Sequence, residues 1–456
     1  MRKRFLLTLS IVSVLFFAAC KETAKEPPTP ATTSLVDGHP AWIMQGNIYE
    51  VNIRQYTPEG TFNAFATHLE RLKEMGVQTL WFMPLSPISK VDRKGALGSY
   101  YAVSSYYAIN PEFGTLDDWK NLVKKAHELG FKIVIDWVPN HSGADHDWLT
   151  SHPDFYMRDS VTGKALSTFD WTDTRELNYD NPAMRDSMIA SMKYWIRETN
   201  IDGYRVDVAW GVPDDFWKRC LKELRELKPD LFLLAEADGG NYHVDGFDAS
   251  YPWTVFQMMK KVASGERYAN ALDTVIHQMD TSFPANAIRL YFTSNHDENS
   301  WNKADYGTMP GPKHAPFAVF TQTYARSVPL IYSGQEEPVL DSISFFYKDT
   351  IHFKKFARAG FYKTLLNLRQ NNPALSANVP ARKINVGDEK ALFAYLRETE
   401  GGKVFVILNL SGQEQNVKVE DKNLHGTPFN VFMGTKEPLN DRDWKIEPWG
   451  YVVYTY

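Results

Sequence analysis

Apolar positions along the chain follow two alternating rhythms. Short runs such as "VQTLWFMP", "FKIVIDWVP" and "LFLLAEA" are almost continuously apolar, as strands buried on both faces are. Longer segments between them carry apolar residues every third or fourth place. "FNAFATHLERLKEMG" sets Phe62, Phe65, Leu69, Leu72 and Met75 at helical spacing and stops at Gly76. "TLDDWKNLVKKAHELG" predicts a helix capped by Thr115, with Asp118 three residues on. "PAMRDSMIASMKYWIRETN" predicts another, with Pro182 near its start. The strand-like "IYEVNIRQY" opens the series from Ile48, and "IDGYRVDVA", a weaker "DGFDASYP", "AIRLYFTSNHD" and "VPLIYSGQE" extend it to eight strand–helix units.

Regular strand–helix alternation predicts a parallel sheet, and eight units predict a closed (β/α)8 TIM barrel, assigned here to residues 39–140 and 182–375. An open doubly wound sheet would show a Gly-rich phosphate turn after an early strand, and the turns here show none. Residues 141–181 separate the third strand from its helix, too long a stretch for a plain connection, and are expected to form a small inserted loop domain. Beyond Asn371 the helical rhythm ends. "ALFAYLRETEGGKVFVILNLSG" and "WKIEPWGYVVYTY" alternate between Gly and Asn turns, which predicts a separate antiparallel β domain, a sandwich over 376–456.

Composition adds little to this and removes one class. The chain has 456 residues, 43% hydrophobic and 23% charged, enough for a large core. Its net charge is −5 with no long basic run beyond the N-terminus, so nothing points to nucleic-acid binding, and a monomer is expected. The first 20 residues change the picture more. Arg2, Lys3 and Arg4, an apolar stretch, then Ala18-Ala19-Cys20 read as an export signal, and small residues before a Cys resemble a bacterial lipobox. Cys20 would then carry a lipid that holds the protein to a membrane, and 21–38, rich in Pro and charge, would be a disordered tether. The other cysteine, Cys220, falls on the apolar side of a helix with Phe216 and Leu224 and reads as core.

The chemistry gathers where strands end. "AIRLYFTSNHDENS" climbs through apolar residues and breaks into Asn295, His296 and Asp297. "DWVPNH" delivers Asp136, Asn140 and His141, "GYRVDVA" Arg205 and Asp207, and "LLAEAD" Glu236. In a TIM barrel these C-terminal strand ends form one face. Carboxyls brought together there suit glycoside cleavage: one protonates the leaving oxygen, another attacks the anomeric carbon or activates water, and a third stabilises positive charge on the ring.

In this order and on these strands, "DWVPNH", "GYRVDVA", "LLAEA" and "FTSNHD" resemble the four sequence regions of the α-amylase superfamily, glycoside hydrolase family 13. The resemblance runs from about Trp42 into the C-terminal β domain. "GSYYAVSSYYAINPEFGT" and "VPLIYSGQE" are similar to the family's segments at those places. The resemblance implies a retaining α-glucan hydrolase acting on starch-like chains or maltooligosaccharides, most simply at α-1,4 bonds. It implies Asp207 as nucleophile, Glu236 as acid/base and Asp297 as the transition-state carboxylate. Arg205 would orient the nucleophile, His141 and His296 would bind sugar hydroxyls, and Tyr101 would lie under the sugar, with Tyr100 next to it as the alternative register. A transglycosylase, a sucrose- or trehalose-acting member and a glycan-binding barrel without activity are the other readings, and the last would have lost an acid. The chemistry needs no cofactor. A structural calcium of the family type would rest on Asn140 with an acid of the insertion, but Trp210-Gly211 stands where many relatives have Lys-His, and Ser105 where the family usually has Asp.

Overall fold

In the computed structural model, which describes residues 35–303, 309–338, 341–439 and 444–456, eight parallel strands close on one another in chain order. They are β1 (Ile48–Val51), β2 (Thr79–Phe82), β3 (Lys132–Trp137), β4 (Gly203–Val206), β5 (Phe232–Ala235), β6 (Ala249–Ser250), β7 (Ile288–Tyr291) and β8 (Ser327–Tyr332). Every residue of β1 to β8 is buried apart from Lys132 at the start of β3, which accounts for their unbroken apolar runs. The pairing register sets Asp136 of β3 directly beside Arg205 of β4, and Glu50 of β1 beside Trp81 of β2. A charged layer is thereby built into the barrel.

The helices follow their caps. Leu116–Glu128 begins with a reciprocal capping box between Thr115 and Asp118, and Pro182–Thr199 is capped by Asn181. Leu69–Met75 stops at Gly76, whose φ of +98° is the left-handed conformation glycine supplies at a helix end. The first predicted strand is shorter than its apolar run. Its neighbour β8 ends at Tyr332, opposite Glu50, so the chain beyond Val51 has no β8 strand left to pair with and Ile53–Tyr56 winds into a helical turn.

One expectation is corrected. The tether was drawn to residue 38, yet Leu35–Val36 pairs with His39–Pro40, Asn378 donates to Asp37 (3.0 Å), and His39 contacts Asp248 at 2.9 Å. These contacts tie the segment to the barrel. The expected C-terminal antiparallel β domain is present and packs on the barrel within one compact unit. It contains the antiparallel strands Leu392–Thr399, Gly402–Asn409 and Tyr451–Thr455, and its alternation faces two ways. Phe393, Tyr395, Val404, Val406 and Leu408 share a core with barrel residues, while Leu392, Ala394, Phe405 and Ile407 pack under a ribbon made by Gln415–Val417 and Trp444–Ile446. Cys20 and the expected export signal lie outside the described residues, among which no helix is long and apolar enough to cross a membrane.

Candidate active site

Tyr101, His141, Asp207, Glu236, His296 and Asp297 line a single cleft of about 460 Å³ at the C-terminal end of the strands. Arg205, fully buried, forms its floor. Six residues expected at one site from scattered motifs are therefore together, and the seventh lies beneath them.

Arg205 is shared rather than dedicated. Its Nη1 donates to Asp136 Oδ1 (2.9 Å) and Asp207 Oδ1 (3.0 Å), and its Nε donates to the Tyr251 hydroxyl (3.2 Å). Its Nη2 lies 3.0 Å from Glu236 Oε1 as an ionic contact without hydrogen-bond alignment. The other Glu236 oxygen, Oε2, accepts from the Val208 backbone N–H at 2.8 Å. Val208 sits at φ +45° and ψ +43°, a left-handed conformation costly for a β-branched residue, in the turn that carries this N–H. The guanidinium also lies over the rings of Trp81, Tyr101 and Tyr251 at 5.2–5.8 Å.

A second network crosses the barrel mouth. His296 Nδ1 contacts Glu50 Oε1 at 2.5 Å, and its Nε2 contacts the Tyr101 hydroxyl at 2.8 Å and Asp297 Oδ2 at 3.3 Å. Tyr101 donates onward to Asp136 at 3.1 Å. Burial alone would lower the His296 imidazole, but the Asp297 and Glu50 carboxylates outweigh it and raise it to about 9. With both ring nitrogens protonated, each donates to a partner already in place. Five carboxyls (Glu50, Asp136, Asp207, Glu236, Asp297) thus crowd around two cations, Arg205 and His296. Burial pushes the Asp207 carboxyl well above its usual range, the Glu236 charge adds to this, and Arg205 opposes it. Burial likewise raises Asp136 to about 6 against the pull of Arg205 and His296.

Of the two tyrosines, Tyr101 is the one that lines the cleft. The Tyr101 ring stacks against His296 with centroids 5.4 Å apart, whereas Tyr100 turns under Phe345 and gives its hydroxyl to Asn52 (3.0 Å). His141, buried and lowered to about 4 by desolvation, stays neutral and keeps an unpartnered Nε2 at the cleft. Asn140 contacts His141 Nδ1 with its amide nitrogen (3.2 Å), and its Oδ1 lies 2.4 Å from where a Cβ on Gly211 would stand. Among the described residues no group of three or more His, Cys, Asp or Glu side chains is placed to hold a metal. Asn295 has a local task, accepting from the Glu298 N–H at the start of the short helix His296–Asn302.

Glu50 and Tyr251 join the site without having been singled out. Glu50 left one signal, a lone charge inside the apolar "IYEV", while Tyr251 left none in a chain so rich in aromatics. Lys94 and Phe345, from loops, and Trp301, from the helix His296–Asn302, also line the cleft, a meeting no spacing reveals.

A (β/α)8 barrel with paired carboxyls and an arginine under one sugar-sized cleft is the framework of a glycoside hydrolase. The alpha-amylase catalytic-domain family matches residues 32–172 and 157–358, and the C-terminal domain family of the alpha-amylase SusG matches 392–452. The chain belongs to the alpha-amylase family. It is 26% identical to Alpha-amylase MalA of Haloarcula japonica over 83% of its own length, spanning 57% of that protein. It is 26% identical to Alpha-amylase 3 of Dictyoglomus thermophilum, covering 84% of this chain and 89% of the relative. The crystal structure of an alpha-amylase from Lactobacillus plantarum superposes with a TM-score of 0.81 at 28% identity, over 91% of this chain and 99% of that one.

Proposed function

We propose that this enzyme cleaves α-glucosidic bonds, α-1,4 bonds foremost, in starch-like glucans or maltooligosaccharides with retention at the anomeric carbon. The carrying observation is the guanidinium of Arg205, which contacts Asp207 on one nitrogen and Glu236 on the other, both at 3.0 Å. Retaining enzymes hold their two carboxyls about 5–5.5 Å apart, a span that one guanidinium can bridge.

In this mechanism one guanidinium faces two acids, and one of them supplies the proton that the leaving oxygen takes. With a sugar bound the proton sits on Glu236, and Arg205 turns its charge to Asp207. Glu236 Oε2 is fixed by the Val208 N–H, which leaves Oε1 to carry the proton to the glycosidic oxygen. Asp207 attacks the anomeric carbon and the C–O bond to the leaving sugar breaks. Water, deprotonated by Glu236, then releases the glycosyl group from Asp207. The surplus of buried carboxylates favours the positive charge that develops on the ring, with Asp297 facing it directly. Tyr101 offers a ring face, and His141 its unpartnered Nε2, to the sugar being cleaved, while His296 holds Tyr101 and Asp297 beside it.

The purified chain should release reducing sugar from soluble starch and maltooligosaccharides. Failure on starch, pullulan and maltooligosaccharides alike would overturn the reading. Cys20 carries the lipid anchor in this account, on the support of the small residues that precede it. Cys20→Ser should therefore shift the protein out of the processed membrane fraction, and unchanged processing and location would remove the anchor.

A further inference from the structure

We propose that Glu50 is a positioning residue for the cleavage: from inside β1 it holds His296 as an imidazolium, and through that ring it sets the places of Asp297 and Tyr101. Glu50 is fully buried and lines no part of the cleft, so it acts only through the histidine. The inference rests on the glucan-cleaving reading above and adds to it the residue on which the charge of His296 depends.

Nothing in β1 itself calls for a charge. Glu50 is the one charged residue of the strand, and the sheet sets it between Trp81 of β2 and Tyr332 of β8. Among the described residues its side-chain hydrogen bonding is all through Oε1, which lies 2.5 Å from His296 Nδ1, while Oε2 is buried without a partner. A buried carboxylate oxygen left bare costs stability. A carboxylate kept at that cost, with a single cation as its bonded partner, is there for what it does to the cation.

The two ring nitrogens carry the effect outward. A carboxylate at Nδ1 fixes a proton there, so the proton the ring can lose is the one on Nε2. That nitrogen lies 2.8 Å from the Tyr101 hydroxyl and 3.3 Å from Asp297 Oδ2. Protonated, Nε2 donates toward both, and Tyr101 keeps its own proton for Asp136 at 3.1 Å. Deprotonated, it turns a lone pair on the Asp297 carboxylate and takes the Tyr101 proton for itself. Asp297 and the Tyr101 ring then lose their common anchor.

The proton on His296 is contested by everything packed around it. Burial opposes it, Asp297 from its own helix and Glu50 from β1 hold it, and Arg205 from β4 repels it. Asp136 from β3 also gains from the charge. Arg205 and His296 flank one indole, the guanidinium over the Trp81 ring and the imidazole edge-on to it at 6.1 Å. Tyr101, Tyr251 and Tyr332, the tyrosines around the pair, are all pushed up by burial and stay neutral. The Asp297 side chain is 38% exposed, where water screens it, whereas that of Glu50 is 0% exposed. The charge of Glu50 is therefore the one that solvent cannot replace.

The test reads the ring and the reaction separately. Histidine NMR, with the His296 signal identified by its loss in His296→Gln, should show a ring that titrates near about 9 in the wild type. In Glu50→Gln, which keeps the shape and removes the charge, the midpoint should fall by about one to two pH units, the worth of a charged hydrogen bond. On maltooligosaccharides the ratio of Glu50→Gln to wild-type kcat should fall by about threefold or more between about pH 6 and about pH 8.5. Glu50→Asp keeps the charge on a shorter side chain and should titrate between the two. An unmoved His296 midpoint in Glu50→Gln, a kcat ratio flat across that range, or a Glu50→Asp midpoint outside that order overturns the proposal. Wild-type protein inactive on every maltooligosaccharide overturns the glucan-cleaving reading instead, and the NMR titration still decides whether Glu50 holds the imidazolium.

Discussion

At the residue scale, Asp207 is placed for chemistry at the expense of stability. Its folded carboxyl lies above its usual range, so the unfolded chain loses its proton first and stability falls as pH rises from the usual carboxylate range through the folded value. Asp207→Asn removes that penalty while keeping the shape. It should cost several orders of magnitude in hydrolysis and raise the melting temperature at pH 7 by roughly 1–3 °C, a gain that shrinks toward pH 4. A variant that keeps more than about a tenth of the activity, or melts lower at pH 7, contradicts this. His296 has the opposite sign. Raised to about 9, its interaction with Glu50 and Asp297 stabilises the fold fully below the ordinary histidine range and is lost as pH climbs toward 9. The chemistry-bearing residues were legible because charged groups ended apolar strands, where burial demands a reason. Lys94, which lines the same cleft, was not, because it is an ordinary loop charge until the loops meet.

At the element scale, the insertion is set by close packing of backbone. The hairpin His141–Gly143 with Thr174–Glu176 presses on the segment after β2, and the Gly143 N–H donates to the Val103 carbonyl. A Cβ on Gly143 would stand 2.6 Å from Ser89 Cβ and 2.7 Å from the Ala102 carbonyl oxygen, neither a yielding side-chain tip. Gly143→Ala should displace the hairpin and with it His141, two residues earlier. We expect kcat/KM on maltooligosaccharides to fall about tenfold or more, with a loss of about 1–3 kcal/mol in denaturant unfolding. Near-normal values for both would show that the hairpin has slack. Sequence pattern found the length of this insertion but not its pairing, since its strands are three residues long and carry no alternation to read. Most of the eight barrel strands were legible even where short, because stretches with helical spacing of apolar residues bracket them.

At the scale of the whole molecule, barrel and C-terminal sheet are one structure. Arg369 and Arg397 are buried and held by backbone carbonyls: Arg369 by Gly46 and Ser327, Arg397 by Thr323, Val379 and Ser376. Burial lowers both, to about 9 and about 10, but each stays charged at neutral pH. Deleting residues 382–456 would remove Arg397 and bare the barrel surface that Phe393, Tyr395 and Val406 cover. Such a chain should be insoluble or lack a cooperative melt by circular dichroism, and a soluble, active barrel would contradict the shared core. The sheet's alternation was readable in sequence. Its dependence on the barrel was not, because an inward-facing apolar row looks alike against either partner.

The central claim is that Asp207 becomes covalently bonded to the sugar. The most direct measurement is mass spectrometry of the protein after incubation with a fluorinated α-maltosyl fluoride, which forms the glycosyl intermediate faster than it releases it. The account predicts one added glycosyl group, located by peptide mapping on Asp207 and absent from Asp207→Asn. A glycosyl group on any other residue, or rapid turnover of the probe to the inverted product with no adduct at any time, would contradict it.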